Sequence, residues 1–463
     1  PGQAKKIQVR LPVKKEKTHG SLSQAPKVTY NNWDEILNRH CQINLPDKHL
    51  QFLYEAAVRS VILHSPYDIY PGPFTYKRFW FRDAAFIANA ISLIGLTEHT
   101  ENLIDNFLPR QTSLGYFHSQ QGEWDSNGQV LWLLNQHCNY KGELPKQEWL
   151  RPIYHAAKWI MRKRTSKDTG KPDAGLLPAG FSAEHLGPND YYYWDDFWSV
   201  AGLYAAAELL KDSKYDGKED FKSEGDDLLC SIEESLRYCE KKLNSSAMPA
   251  SVYRRLDSGA IGSIAAGYPL WIFEPGDKRL DETAEYLMDN CIIDNGLFHD
   301  ITHSGINPYL TLHLAQVLMA KKDMRFKDLI QGVANLASPT GQWPEAINPR
   351  TRSGCMGDGQ HVWASAEWII MMINCFVMER KDKLILGAGI FPEWLEGEQT
   401  VSLGPVLTKW GQVSVDIKSD LDKITVEWQG QWRRDKPQIQ VALPGFKTVD
   451  VTPDKNLIIL GRK

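Results

Sequence analysis

Between about residue 47 and residue 380, apolar residues return every three or four positions, as in Leu50, Leu53, Ala57 and Val61 and again in Trp363, Ala366, Ile370 and Ile373. That spacing lays an apolar stripe along a helix. It predicts ten to twelve helices, over roughly 48–64, 83–96, 98–107, 127–138, 147–164, 197–211, 221–242, 280–290, 307–321, 324–336 and 361–380. About six helical hairpins are the natural arrangement, closed into a double-layered barrel or stacked as an open solenoid. Periodicity does not choose between the two, although the lack of a fixed-period repeat counts against the regular solenoids. After about residue 385 the pattern changes to alternating, β-branched segments, "QVSVDIKS", "KITVEWQG", "QIQVALP" and "LIILGRK", separated by turn residues. Period-two alternation of this kind predicts a small antiparallel β domain. The expected organisation is an N-terminal arm over 1–45 with one strand-like piece, "KIQVRLPV", a helical body over 46–385 and a β domain over 386–463.

Composition changes this picture little and excludes several functions. With 463 residues, 42% of them hydrophobic and 24% charged, the chain can bury a sizeable core. No apolar run is long enough to span a bilayer, so no membrane role is expected. A net charge of −4 gives no electrostatic footprint for nucleic acid, and the locally basic "KKIQVRLPVKKEK" is read as a solvated arm. Seven cysteines, at 41, 138, 230, 239, 291, 355 and 375, include no C-x-x-C pair, so neither a structural zinc site nor a disulfide framework is expected. A reducing compartment such as the cytoplasm fits that usage. The chain opens at Pro1 without methionine or an apolar signal segment, which leads us to expect a trimmed chain.

The connections are long and rich in Gly, Pro, Asn and Asp, as in "HSPYDIYPGPFTY", "DAGLLPAGFSAEHLGPND" and "SPTGQWPEAINPRTRSGCMGDGQ". Such loops on a rigid scaffold commonly carry function. Four stretches mix aromatic rings with acids, arginine and amides: "YKRFWFRDAAF" (76–86), "GEWDSNGQVLW" (122–132), "YYYWDDFWSV" (191–200) and "TGQWPEAINP" (340–349). Carbohydrate asks for this mixture. The C–H face of a sugar packs on indole or phenol, and its hydroxyls need carboxylate, amide and guanidinium partners. Taken singly, each stretch has an ordinary explanation: Asp125 as a helix cap, Arg82-Asp83 as a buried ion pair, Glu345 as a solvated loop acid, and the aromatics as core. Four of them in one chain shift the balance toward a site. No H-E-x-x-H or comparable cluster is present, and His303 and His313 are read as structural, so neither metal nor cofactor is expected.

The segment "YKRFWFRDAAF" resembles the aromatic-rich turn and W-x-R-D block of glucoamylases. "WDDFW" is similar to the acid motif of that family and to the W-D segment of trehalases and processing-type α-glucosidases. "GQWPEAINPRTRSGCMGDGQHVWASAEWI" is similar to the last block of the family. The order of these blocks matches over residues 70–380. The resemblance implies a mainly α fold, an (α/α)6 barrel, and inverting hydrolysis of an α-glycosidic bond, usually a glucoside, at a non-reducing end. It also implies Asp195 as general acid, Glu345 as general base, Arg82 and Asp83 as clamps on the innermost sugar, and Asp196 as a substrate-binding acid. By a weaker match, Asp125 and Gln129 are binding residues. Tyr76, Trp80, Trp124, Tyr193, Trp194, Trp343 and Trp363 are the candidate aromatic contacts, and Glu184 and His185 belong to an insert without a counterpart in the family. This chain has Asp where glucoamylases have Glu in the acid motif, which requires a closer approach of its helix to the sugar. An inverting pair stands roughly 6.5–9.5 Å apart and a retaining pair roughly 5–5.5 Å apart. Two other readings remain open: a phosphorylase on the same barrel, using Arg350, Arg352 and Ser353 for phosphate, and a non-catalytic glycan-binding helical protein.

Overall fold

The computed structural model describes residues 39–181, 188–215, 217, 220–300, 304–433, 435–452 and 455–462. The chain divides into two units, Pro1–Arg39 and His40–Lys463, and the elements below belong to the second. The strand-like piece near the N-terminus, Glu184, His185 and His303 lie outside the described residues.

Among the described residues, eleven α-helices and one long 3₁₀ segment alternate between an outer and an inner layer. The outer helices are α1 (Lys48–Leu63), α3 (Thr97–Phe107), α5 (Gln147–Lys163), α7 (Asp220–Leu243), α8 (Lys278–Asn290) and α10 (Arg325–Asn335). The inner elements are α2 (Phe81–Leu93), α4 (Ser126–Lys141), α6 (Tyr193–Leu210), the 3₁₀ segment Ser258–Ala266, α9 (Pro308–Ala320) and α11 (Val362–Phe376). Composition assigns the layers. Helix α5 buries one stripe, Trp149, Ile153, Ala156, Ala157 and Ile160, and leaves a charged face outward, whereas α2 buries all 13 of its residues. A helix apolar around its whole circumference needs partners on every side. Each inner element therefore packs on its inner neighbours, in the order α2, α4, α6, 3₁₀, α9, α11, and α11 packs back on α2. That last contact closes the ring and makes the body an (α/α)6 barrel, not an open solenoid. Helices α4 and α6 meet closely at two glycines: a Cβ on Gly202 would stand 2.6 Å from the Cα of Gly128.

Three boundaries differ from the periodicity. The inner wall Ser258–Ala266, "SGAIGSIAA", was not anticipated, because its glycines and small residues carry no stripe, yet all nine residues are buried. Helix α6 begins at Tyr193, so the acid pair sits in its first turn and not ahead of it. Helix α11 ends at Phe376, and the expected helical residues beyond it form strand β7 (Val377–Arg380).

The β domain holds two sheets. One has the order β1-β9-β10-β11-β14, with β1 (Gln42–Asn44), β9 (Gln399–Thr408), β10 (Gly411–Ser419), β11 (Lys423–Trp432) and β14 (Leu457–Gly461) all antiparallel. In β10, Val413, Val415 and Ile417 face the core and alternate with Gln412, Ser414 and Asp416, as a half-covered sheet requires. The other sheet has the order β13-β12-β8-β7, with β13 at Val449–Val451, in which β8 (Lys383–Leu386) and β12 (Gln438–Val441) run parallel. Strand β9 packs on α2, α4 and α11. A third, short-stranded sheet is built from loop segments: β2 (Ile292–Ile293), β3 (Gly296–His299), β4 (Gly305–Ile306), β5 (Ala346–Ile347) and β6 (Gly354–Met356). Among the described residues, no helix is long and apolar enough to cross a membrane.

Candidate active site

A cavity of about 230 Å3 lies at the N-terminal ends of the inner helices α2 and α11 and is lined by Tyr76, Trp80, Arg82, Asp83, Glu123, Phe181, Tyr309, Glu345, His361 and Trp363, among others. These residues come from distant parts of the chain, so the closed ring is what brings them together.

The anchor of the floor is Asp125. It occupies the N-cap position of α4, but its side chain makes no capping bond. Its Oδ2 accepts instead from Arg82 Nε at 2.6 Å, Trp194 Nε1 at 2.8 Å and Gln129 Nε2 at 3.0 Å. Charge-assisted bonds of this kind fix the Arg82 guanidinium against the cavity. Glu123 Oε1 stands 3.7 Å from Arg82 Nη1. One buried arginine is thus set among several buried acids.

Asp195 borders this cluster. It is 2% exposed, and its Oδ1 has no hydrogen-bond partner among the described residues. Burial, followed by repulsion from Asp125, holds its carboxyl well above the usual carboxylate range, with Arg82 pulling the other way. The next residue is turned by about 100° on the helix. Asp196 accepts the Leu177 N–H at 2.8 Å, and neither Asp195 nor Asp196 lines the cavity, Asp195 lying behind Arg82. Burial raises it to about 7, against that bond and the charge of Arg164.

Glu345 faces the cavity from the loop ahead of β5 (Ala346–Ile347), and its Oε2 accepts from the Tyr76 hydroxyl. Gly357, at φ +68°, lies under both groups: a Cβ there would stand 2.7 Å from the Tyr76 ring and 2.9 Å from Glu345 Oε2. The loop bearing Tyr76 is fastened by Asp358, whose carboxylate accepts the N–H groups of Phe74, Thr75 and Tyr76 at 3.0, 2.9 and 3.1 Å. These bonds outweigh burial and hold the Asp358 carboxyl below its ordinary range.

Aromatic rings form the remaining wall. Tyr309 stacks on Trp363 at 4.1 Å and Trp363 on Phe86 at 4.6 Å. His361 lies between Tyr76 and Tyr309, with Nε2 3.8 Å from Asp83 Oδ1. Burial pushes its imidazole down to about 3, so it is neutral at any ordinary pH. Behind Trp363, Glu367 Oε1 accepts the indole N–H at 3.3 Å and stands 3.1 Å from His313 Nε2, which gives that histidine a structural contact.

Other sequence candidates lie elsewhere. Trp124 packs against Tyr116 and Trp159 under the Lys163 ammonium. Trp343 donates to the Val333 carbonyl at 2.8 Å and packs on Trp368. The Tyr193 hydroxyl meets Ser235 in the seam between α6 and α7. None of the three lines the cavity. Conversely, Glu123, Tyr309, His361 and the fastener Asp358 were not singled out from the sequence. Glu123 carried a signal, since it adjoins Trp124 in one of the aromatic-acidic stretches, whereas nothing local marks Tyr309 or His361. Among the described residues, no group of three or more His, Cys, Asp or Glu side chains could hold a metal ion.

No protein-family model matches the chain, and no curated protein matches it. Solved structures do. A rhamnosidase of family GH78 from Bacillus sp. GL1 is similar with a TM-score of 0.61 and 15% identity, over 88% of this chain and 43% of that one. A bacterial glucoamylase complexed with acarbose is similar with a TM-score of 0.54 and 12% identity, over 73% of this chain and 57% of that one. A glycosidase is similar with a TM-score of 0.55 and 15% identity, over 71% of this chain and 98% of that one.

Proposed function

These likenesses establish the (α/α)6-barrel fold that the glycosidases share, and on that fold we propose that the chain is a glycoside hydrolase, inverting and acting at the end of an α-glucoside. The observation that carries the reading is the convergence of Arg82, Asp83 and Glu345 on one aromatic-walled cavity, with Asp195, its carboxyl held above the ordinary range by burial, against the arginine cluster. At about 230 Å3 the cavity is smaller than the roughly 300–1,000 Å3 of most small-molecule sites. That size suits a single terminal sugar ring.

In this mechanism Asp195 donates its proton to the glycosidic oxygen as the bond to the anomeric carbon breaks. Glu345, with one oxygen held by Tyr76, takes a proton from the water that attacks the opposite face. The released sugar carries the inverted anomer. Arg82 and Asp83 hold hydroxyls of the bound ring, Asp125 acts on the sugar through Arg82, and Gln129 acts through Asp125. The neutral His361 is suited to a hydroxyl, because imidazole then both donates and accepts.

Arg350, Arg352 and Ser353, which a phosphate pocket would use, do not line the cavity, and this supports water as the nucleophile. The meeting of separate motifs at one cavity supports catalysis over simple glycan binding. An α-L-rhamnoside is a second substrate reading. It is favoured by the extent of the likeness to the rhamnosidases, which covers 88% and 91% of this chain.

Proton NMR of the chain with maltose, isomaltose, kojibiose, trehalose, glucosylglycerate and an aryl α-L-rhamnoside tests both. Early β-glucose from the wild type and none from an Asp195→Asn/Glu345→Gln variant is the expected result. Early α-anomer from the non-reducing glucosyl residue of maltose, isomaltose, kojibiose or glucosylglycerate would overturn inversion, rhamnose release would replace the glucoside, and turnover only with added phosphate would replace hydrolysis.

A further inference from the structure

The inner helices have a second end, and a larger cavity lies there. About 410 Å3 opens where the C-terminal halves of α2, α4 and α11 meet β7 and β9, within the size range of small-molecule sites. Asn89 lines it two helical turns beyond Arg82, so the two cavities are separate.

Its chemistry is that of amides and indoles. Asn89, Asn135, Asn139 and Asn374 line it from three different helices, and Trp132 and Trp271 add aromatic surface. A primary amide offers both donors and an acceptor, which matches a hydroxyl. Asn89 is 5% exposed, and its Oδ1 has no partner among the described residues. A buried acceptor left unmet is destabilising, and a ligand hydroxyl would remove that cost. Trp271 adopts φ +49°, a left-handed conformation unusual for so large a residue and enriched at ligand sites. The nearby charged side chains are engaged within the protein. Arg380 and Lys381 both pair with Glu274, the Lys409 ammonium donates to the Lys381 carbonyl, and Glu379 Oε1 accepts the Lys409 backbone N–H at 3.1 Å. The cavity therefore favours a neutral ligand. Asn135, Asn374, Ala201 and Trp271 are half-buried at its rim, which gives access from solvent.

We infer that this cavity is a second carbohydrate site, for a neutral mono- or disaccharide, without catalysis of its own. Glu379 is the one carboxylic acid among its lining residues, so the opposed pair that glycoside hydrolysis requires is missing there. The inference rests on the residues of this cavity and does not need the reaction proposed for the other.

Soaking crystals of the full chain with about 100 mM glucose, maltose or L-rhamnose, a level suited to a millimolar site, tests it. A sugar ring between Asn89 and Trp271 is expected. Ala201→Trp, which fills the cavity from its rim, should remove that ring and weaken its binding by about tenfold or more. It should leave turnover at the other cavity within about twofold. Asn135→Leu is the second variant, should the first fail to fold. Sugar in the Glu345 cavity alone, water alone on Asn89, or no sugar in either cavity would each overturn the inference. Turnover measured on the same samples keeps it apart from the hydrolase reading: hydrolysis with an empty second cavity sinks this inference only, and sugar there without hydrolysis sinks only the other.

Discussion

At the scale of single residues, the environments of Asp195 and Asp196 decide their behaviour. The Asp195 carboxyl is held above the ordinary carboxylate range by burial and then by Asp125, with Arg82 opposing. Activity should therefore fall as pH rises through the raised pKa of Asp195, where the general acid is lost. Asp195→Asn should lower kcat by about 10²–10⁴-fold with a nearly unchanged melting temperature, as should Glu345→Gln. A drop in melting temperature large enough to explain the loss would instead mark either residue as structural. Asp196 gives a cleaner stability test. Its ordinary value is 3.8 and its folded value about 7, so between those limits the native state holds a proton that the unfolded state has lost. Native stability should then fall as pH rises from about 4 to 7, by about 1.4 kcal/mol per unit from this group. Asp196→Asn can keep the bond from Leu177 and should flatten that slope in urea titrations across the range. An unchanged slope would mean that Asp196 is ionised in the fold.

At the scale of elements, the site depends on how loops are tied to the barrel. Asp358 fastens the turn that carries Tyr76 through three N–H groups, and Tyr76 in turn holds Glu345. Asp358→Ala leaves those donors without their acceptor. It should cost about 1–3 kcal/mol and lower kcat more than it raises KM, since the base and not the sugar contacts would be displaced. A change in KM alone would show that the turn serves only binding. Because the folded pKa of Asp358 lies below its ordinary value, its contribution to stability is present above about pH 4 and lost as pH falls through the lowered value. Element boundaries were legible where a stripe was strong, as in α1, α5 and α10. The 3₁₀ wall Ser258–Ala266 was not, because small residues buried on every side leave no polar face to set a period.

At the scale of the whole molecule, the barrel and β domain share one packed surface. The ends of α2, α4 and α11 rest on β9, and α11 runs directly into β7. Removing residues 386–463 would expose that apolar surface, so the shortened chain should lose cooperative thermal unfolding by circular dichroism; a sharp transition would show that the barrel folds alone. The sequence by itself determined the local elements, the helical body with its terminal β domain, and the residue types of a sugar site. Each of these follows from the character of neighbours a few positions apart. Only the tertiary structure decided that the hairpins close, since the contact of α11 with α2 joins segments nearly 300 residues apart. It alone distinguished Trp363, in the cavity, from Trp343 and Trp124, which bear the same local signature but turn into other seams. It also brought Glu123, Tyr309 and His361 to the site. The direction in which a side chain points depends on how its helix is rotated in the ring, and that rotation is set by all of the neighbouring helices together.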